Sequence, residues 1–311
     1  MATRFTKLLW LGATALAFST GCTEHFLLRT GMKTADPYVE GPTAEGTSFE
    51  KVSAHVYTAQ WTWYRNVVID TSEGLVVIDP MGPQMVDVVK RGIAAKLPGK
   101  KVHTVIYSHY HHDHVAGGAL LQPVEVIGHE KCTQYWKENG ITDVAPITKP
   151  IAGDQTLTIG GIEIRALYLG RSHSDTLYAF HFPAERTVFT ADLGLVRTAP
   201  PAGVPDSYWP GYIAALDRVA ALDFDNFVPS HFGWGKKRDL LEYTAMLKYG
   251  RQLAKESIAR RGSLGGENAK FEDFFDDIYP PMQEKYGDWH GFGSMFIANM
   301  TRDVIGEALG Y

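Results

Sequence analysis

The chain has 311 residues, of which 45% are hydrophobic, and a formal net charge of −5. This length is sufficient for one large domain with a substantial core. The mild charge and the lack of a basic stripe exclude a typical nucleic-acid-binding protein, and a small-molecule substrate is the expected partner.

The first 22 residues have the pattern of a bacterial export signal. A basic start precedes an apolar run over residues 8–18, which is too short to cross a bilayer as a helix. Cleavage sites fit at residues 15–17 and 19–22. The second resembles a lipoprotein signal, in which Cys22 carries a lipid anchor, but it has Ser19 where a leucine is usual. We therefore expect an exported protein, periplasmic or membrane-anchored, with residues 23–48 as a linker.

Apolar runs of strand length follow the linker. Strands are predicted over residues 52–58, 66–70 and 75–78. Trp61 and Trp63 lie between the first two and are predicted to share one face of a strand. The core is the favoured location for both. The alternative is a hairpin flap over the active site, where large aromatic side chains contact the substrate.

Asp79 directly follows a buried strand, and a carboxylate in that position needs a partner. One interpretation is a hydrogen bond to a metal-binding histidine, which would fix the tautomer of the imidazole. The other, equally supported, is an ordinary turn residue at the end of the strand. A helix is predicted next, over residues 83–97, with a proline at its start.

The most informative stretch covers residues 108–118 and follows a predicted strand at 102–107. His109 and His111 are two residues apart, so on an extended chain they point to the same side. Asp113 and His114 come after a turn and face another way. This arrangement predicts two adjacent metal ions, one on each pair of residues. Imidazole and carboxylate ligands suit zinc first, then iron or manganese, whereas the alternative is a histidine-rich surface loop.

Three further candidate ligands end strand-like runs downstream. His173 follows the predicted strand pair 157–169, Asp192 follows the hairpin 177–190, and His231 follows the strand 226–229. In α/β sheets, sites gather beyond the carboxyl ends of the strands. Each residue alone would be an ordinary structural residue. Together with the first motif, they complete two metal coordination spheres.

A pocket loop and a set of helices are predicted outside the candidate ligands. The loop 193–210 contains Tyr208 and Trp209 and is predicted to form a wall or lid of the substrate pocket. A helix is expected from residue 211 to 222. Helices are also predicted over residues 236–261, 271–286 and 292–309. The mature protein therefore consists of a catalytic domain at 49–235 and a helical extension at 236–311 that packs on the same domain.

These motifs resemble those of the metallo-β-lactamase superfamily. The match covers roughly residues 50–235 and includes HxHxDH at 109–114, His173 in Gly-x-x-His-Ser, and His231 in Pro-Ser-His. Asp79 resembles the strand-end aspartate of the family, and Asp192 its bridging carboxylate. The resemblance implies an α/β fold, the four-layer αβ/βα sandwich, with the metals at its edge and the helical extension added.

The resemblance also implies a role for each ligand. The first metal would be held by His109, His111 and His173, and the second by Asp113, His114 and His231. The implied activity is that of a dinuclear hydrolase, with zinc as the first choice of metal. It would use a metal-bridging hydroxide on an ester, lactone, thioester or lactam, with Asp113 also relaying a proton.

The residue that bridges the metals separates subfamilies. Asp192 resembles that of hydroxyacylglutathione hydrolases, lactonases and alkylsulfatases, because zinc β-lactamases usually carry another residue there. The sequence His173-Ser174-Asp175 is nevertheless similar to that of β-lactamases, so a zinc β-lactamase proper is one alternative. The second alternative is a mononuclear iron enzyme similar to the persulfide dioxygenases, with His109, His173 and Asp192 as its ligands.

Overall fold

The computed structural model describes residues 46–262 and 269–310. The predicted export signal, with Cys22, and most of the predicted linker lie outside the described residues. Within the described ranges, no helix combines the length and apolar character that a membrane crossing requires.

The first sheet has seven strands that follow one another in chain order. Strands β1 to β4 are antiparallel, and β4 to β7 are parallel. The predicted strands 66–70, 75–78 and 102–107 correspond to β3, β4 and β5, whereas the strand predicted at 52–58 begins only at Val56. The seven strands are β1 (Ser48–Lys51), β2 (Val56–Trp61), β3 (Tyr64–Thr71), β4 (Gly74–Ile78), β5 (Val102–Ile106), β6 (Glu125–His129) and β7 (Lys149–Ile151).

The second sheet has six strands in the order β13-β12-β11-β10-β9-β8. All neighbouring pairs are antiparallel except β11 and β12, which run parallel. As predicted, two strands meet at Gly160-Gly161. The six strands are β8 (Gln155–Ile159), β9 (Ile162–Tyr168), β10 (Tyr178–Phe182), β11 (Thr187–Thr190), β12 (Asn226–Pro229) and β13 (Gly235–Lys236).

Helices cover the outer faces of the two sheets. Helix α1 packs on the first sheet, α2 and α3 follow β5 and β6, and the remaining four lie on the side of the second sheet. The three helices predicted near the C-terminus are confirmed. The helices are α1 (Gly82–Lys96), α2 (His112–Val115), α3 (Cys132–Glu138), α4 (Trp209–Ala220), α5 (Lys237–Arg261), α6 (Phe271–Tyr286) and α7 (Phe292–Leu309).

The alternation of side chains along β4 shows how the layers pack. Val76 and Ile78 face the core between the two sheets, together with Phe180 and Phe189 of the second sheet. Val77 faces the opposite way and packs with Met85 of α1. A strand buried on both faces has a continuous run of apolar residues, as this one does. The predicted four-layer αβ/βα sandwich is therefore confirmed.

Candidate metal centre

The predicted ligands come together at one edge of the sandwich, where several strands end. His109 and His111 follow β5, and the one-turn helix α2 then redirects the chain, so that His114 faces the same centre from another direction. His173 lies in the loop after β9, whereas Asp192 and His231 follow the parallel strands β11 and β12.

The carboxylate of Asp192 lies in the middle of this cluster. Its Oδ2 is 3.3 Å from Nε2 of His109, 3.2 Å from Nε2 of His114 and 3.0 Å from Nε2 of His173. Its Oδ1 is 2.6 Å from Nε2 of His231. The Asp192 carboxylate therefore lies close to members of both predicted ligand sets.

The geometry divides the cluster into two overlapping groups. His109, His111, His173 and Asp192 each offer a ligand atom, and these atoms all lie within 4.8 Å of one another; the same holds for His114, Asp192 and His231. Asp113 stands at the rim of the second group. Its Oδ2 is 3.7 Å from Nε2 of His114 and accepts a hydrogen bond of 3.1 Å from the Tyr64 hydroxyl.

Two buried imidazole nitrogens indicate that the cluster fits metal ions. Nε2 of His109 and Nε2 of His114 have no hydrogen-bond partner among the described residues, although Asp192 lies close to both. Buried polar atoms without a partner are rare because they lose their hydration without compensation. A metal ion would satisfy both nitrogens, and a set of imidazole and carboxylate ligands suits zinc, iron or manganese.

Comparison with known proteins agrees with this arrangement. The family model described as "Metallo-beta-lactamase superfamily" matches residues 66–231, which include every predicted ligand. The chain belongs to the metallo-β-lactamase superfamily.

Individual relatives differ in what their names state. The α subunit of 2,4-dinitroanisole O-demethylase from Nocardioides sp. is 31% identical over 76% of this chain and 72% of that protein. A hydroxyacylglutathione hydrolase from Ruegeria pomeroyi is 31% identical over 42% of this chain and 49% of that protein. A metallo-β-lactamase structure from Pontibacter korlensis is 20% identical, covers 65% of this chain and 99% of that chain, and has a TM-score of 0.56. The last likeness concerns the fold alone.

Asp79 orients two histidines of this superfamily site. It is fully buried, and its Oδ2 lies 3.1 Å from Nδ1 of His114. It also accepts hydrogen bonds from the backbone nitrogen and the hydroxyl of Ser108, at 2.8 and 2.6 Å. The same hydroxyl lies 2.9 Å from Nδ1 of His109. With both Nδ1 atoms engaged, the Nε2 atoms of His109 and His114 face the centre, as metal binding requires.

Three residues that contact the ligands, Ser207, Asp206 and Ser108, were not predicted from the sequence. Nδ1 of His173 lies 3.3 Å from the Ser207 hydroxyl and 3.5 Å from a carboxylate oxygen of Asp206. The Ser108 hydroxyl was missed in the same way, although its place directly before the first histidine was a usable signal. Ser207 and Asp206 had no such signal, because they lie on a loop far from His173 in the sequence.

Burial and mutual contacts shift the pKa values of the residues in this cluster. Burial raises the pKa of Asp192, but the nearby His114, His173 and His231 outweigh this effect and hold the pKa well below its usual range. Burial lowers the pKa of His173, and Asp192 more than reverses this and raises the pKa to about 9. The pKa of His111 falls to about 4, chiefly through burial. A metal ion must displace the proton on His173, so binding at this group releases protons.

The prediction that Trp61 and Trp63 share one face of a strand is wrong, although Trp61 packs against the core on the α1 side of the first sheet. Trp61 ends β2 and Trp63 lies in the tight turn before β3, and both are half-buried. Thr62 makes this turn with a φ of 58°, a conformation uncommon for a residue other than glycine. The hairpin tip touches the site, since the backbone oxygen of Trp63 accepts a hydrogen bond from the backbone nitrogen of Phe232.

Tyr64 is the residue of this hairpin that lies against the ligands. Its ring is 5.0 Å from that of His231 and 6.2 Å from that of His114. Burial and the neighbouring Asp113 raise the pKa of its hydroxyl, which therefore stays protonated. A protonated Tyr64 can keep donating its hydrogen bond to Asp113, which fixes the position of that carboxylate at the rim.

The prediction that the loop 193–210 forms a pocket wall applies to only part of it. Tyr208 lines a cavity beside His173, together with Asp206 and Ser207. The prediction for Trp209 is wrong, because this side chain is buried and its Nε1 donates a 2.9 Å hydrogen bond to Asp303. Helix α4 begins at Trp209, two residues earlier than predicted, and this start turns the indole toward α7.

The C-terminal helix α7 holds the pocket loop in place through Arg302. The guanidinium donates to the backbone oxygens of Gly203 and Val204, and to that of Ser207 at 3.3 Å. The guanidinium also lies over the Trp209 ring, 4.6 Å from its centroid. Through Ser207, this arginine positions a hydrogen-bond partner of His173.

We expect Arg302→Met to lower kcat/KM by about 10- to 100-fold, because small displacements of a catalytic group are costly. Arg302→Lys should recover part of the loss, since the ammonium can still reach some of the loop carbonyls. Kinetics and metal content of both variants test this, with Arg238→Met at a highly exposed arginine as the control. Unchanged kinetics in Arg302→Met would contradict a positioning role.

Proposed function

We propose that the protein is a dinuclear metal-dependent hydrolase, with zinc as the first choice of metal. The observation that carries this proposal is the carboxylate of Asp192, which lies within 3.3 Å of imidazole nitrogens from both ligand groups. The second group supports this proposal, since its buried His114 is oriented by Asp79 toward the same centre.

Each ligand group would hold one ion. His109, His111 and His173 would hold the first ion, and His114, His231 and Asp113 the second, with Asp192 shared between the two. When bound, two divalent ions supply a water molecule with a pKa near 7 and polarise the bond under attack. No serine or cysteine nucleophile is then required.

Asp113 is the residue best placed to move a proton. Its side chain is half exposed, and its Oδ2 is held by the Tyr64 hydroxyl beside His114. It can accept the proton of the attacking water and deliver it to the leaving group, since its exposed side allows exchange with solvent. General acid–base assistance of this kind contributes about 10²- to 10⁴-fold in rate.

The proposed substrates are esters, lactones, thioesters or lactams. The relative that hydrolyses hydroxyacylglutathione supports a carbonyl electrophile, but it matches only 42% of this chain. Asp192 resembles the bridging residue of the hydroxyacylglutathione hydrolases, lactonases and alkylsulfatases, whereas the sequence His173-Ser174-Asp175 keeps a zinc β-lactamase within the proposal as its lactam form.

A second candidate reaction is cleavage of an electron-poor aryl methyl ether. The relative named for O-demethylation of 2,4-dinitroanisole is 31% identical over 76% of this chain. In this reaction, the oxygen of water bonds to the ring carbon that carries the methoxy group, and the bond from that carbon to the methoxy oxygen breaks. The methoxy group leaves as methanol with one proton from water, and the phenol forms without any oxidant.

A substrate panel measured with and without chelator tests the proposed function. The protein should hydrolyse at least one member of a set of aryl esters, lactones, thioesters, β-lactams and nitroaryl methyl ethers. Chelation should abolish this turnover, and added zinc, iron or manganese should restore it. Turnover that survives complete metal removal would contradict the proposal. Oxygen uptake with glutathione persulfide would favour the mononuclear dioxygenase instead.

Export of the protein stays a prediction, since it rests on residues 1–22. Fractionation of a bacterial host and the mass of the mature protein test it, and a Cys22→Ala variant tests the lipid anchor. A mature chain that begins at Cys22 and partitions with membranes is expected if the lipoprotein signal is used.

A further inference from the structure

A cavity of about 510 Å³ opens beside the metal centre on the side of His111 and His173. His173 itself forms part of its lining. The other lining residues come from the loop after β5, from α3, from the loop that carries His173 and from the end of the loop before α4. They are Tyr110, Tyr135, Arg171, Ser172, Ser174, Asp175, Asp206, Ser207 and Tyr208.

Both carboxylates of the cavity already have partners. Asp175 pairs with Lys131 at 3.0 Å and accepts a 2.8 Å hydrogen bond from the Tyr135 hydroxyl. A carboxylate oxygen of Asp206 is 3.5 Å from Nδ1 of His173. Asp175 is therefore engaged by two close partners, whereas Asp206 contacts His173 through one oxygen only and stays half exposed.

Arg171 is the charged group of the cavity that has no carboxylate partner among the described residues. Its guanidinium lies over the ring of Tyr208, 4.2 Å from the centroid. A planar guanidinium that is stacked in this way keeps its edge free for a pair of oxygen atoms. It is also partly ordered before a ligand arrives, which reduces the entropic cost of binding.

The backbone around Arg171 is fixed by helix α4. The backbone nitrogen of Tyr208 donates to the oxygen of Ser172 at 2.8 Å. A Cβ atom at Gly211 would stand only 1.8 Å from the backbone oxygen of Arg171, so the loop packs directly on the first turn of the helix. The backbone position of Arg171 relative to His173 is therefore set by these contacts, and the Tyr208 ring supports the guanidinium.

Aromatic side chains form much of the remaining wall. The rings of Tyr110 and Tyr135 are 4.6 Å apart, and Tyr110 also lies against His111. Tyrosine rings offer a flat apolar surface on which planar groups pack well. A guanidinium binds paired oxygens, such as those of a carboxylate, through two parallel hydrogen bonds.

We propose that this cavity holds the body of the substrate, a planar aromatic ring whose carboxylate or nitro group is bound by Arg171. The proposal rests on the proposed function, because the ring must present its reactive bond to the metal centre beside His173. It narrows the substrate class to aromatic compounds that carry paired oxygen atoms.

Equilibrium binding of non-reactive probes separates this proposal from the proposed function. Calorimetry would compare benzoate, nitrobenzene and cyclohexanecarboxylate on wild-type protein, Arg171→Gln and the surface control Arg238→Gln. We expect benzoate to bind wild type and the control equally, and Arg171→Gln about tenfold more weakly, as for loss of one charge-assisted hydrogen-bonded pair. Nitrobenzene should show a smaller loss, and cyclohexanecarboxylate should bind more weakly than benzoate.

Three results would overturn the proposal. Equal binding of benzoate by wild type and Arg171→Gln would mean that the carboxylate binds elsewhere, including directly at the metals. Binding of cyclohexanecarboxylate as tight as that of benzoate would contradict the aromatic wall. Absence of binding of both aromatic probes to wild-type protein would also overturn it. None of these results depends on turnover, so failure of this proposal can be distinguished from failure of the proposed function.

Steady-state kinetics on aryl esters provide a second test of the role of Arg171. With a pair of aryl esters that differ only in a ring carboxylate, Arg171→Gln should raise KM about tenfold for the carboxylate ester and leave kcat nearly unchanged. The unsubstituted ester should show no change. An equal effect on both esters would indicate a general structural defect and overturn the recognition role.

Discussion

The Asp192→Ala variant is expected to lose most of its turnover and to bind the second metal ion more weakly than the first. The carboxylate lies between the two ligand groups, and its removal leaves three imidazoles for the first ion. The second ion keeps His114, His231 and Asp113, and the last of these stands at the rim, 3.7 Å from His114. A 1 Å displacement of a reacting group can cost about 100-fold in rate.

A second substitution separates this role from that of a turn residue. Asp192 has a φ of 51°, and its backbone nitrogen donates a hydrogen bond of 3.0 Å to the Ser230 hydroxyl. Asparagine tolerates a positive φ and retains hydrogen-bonding groups, but it carries no charge. Asp192→Asn should therefore fold normally and still lose the second metal. Normal metal content and turnover in both variants would assign Asp192 to the turn alone.

The second large effect is expected for Asp79→Ala. The buried carboxylate accepts two hydrogen bonds from Ser108 and contacts Nδ1 of His114. The substitution leaves three buried polar groups without their partner, at about 1–3 kcal/mol each, so we expect the free energy of unfolding to fall by at least about 3 kcal/mol. Chemical denaturation of the metal-free variant measures this loss.

Metal affinity gives an independent test of the role of Asp79. Without Asp79, neither the tautomer of His114 nor the Ser108 hydroxyl beside His109 is fixed, so both ions should bind about 10- to 100-fold more weakly. Asp217→Ala is the control, because its carboxylate is half exposed and pairs with Lys248 rather than with a ligand. If Asp79→Ala lost stability but bound both metals normally, Asp79 would be a structural turn residue.

Much of the metal centre was predictable from the sequence because its signals are local. The spacing of His109, His111 and His114 follows one strand and one short turn, so their relative directions depend on few torsion angles. Asp192 and His231 end neighbouring parallel strands, which places them at the same edge. In each case the position in the sequence determined the position in the fold.

The errors occurred where distant elements decide the structure. Trp209 is buried because Asp303, 94 residues further along the chain, accepts the hydrogen bond of its indole. Ser207 reaches His173 because Arg302 holds its loop from the last helix. Thr62 forms the turn between β2 and β3 with a positive φ but without the glycine or asparagine that usually signals such a turn.

The most direct test of the account is the number of metal ions per chain, measured together with turnover on wild type and His231→Ala. Elemental analysis of purified protein should give close to two ions per chain for wild type. His231→Ala removes a ligand of the second group alone and should retain close to one ion with little turnover. One tightly bound ion in the fully active wild type, unchanged by His231→Ala, would contradict a dinuclear centre.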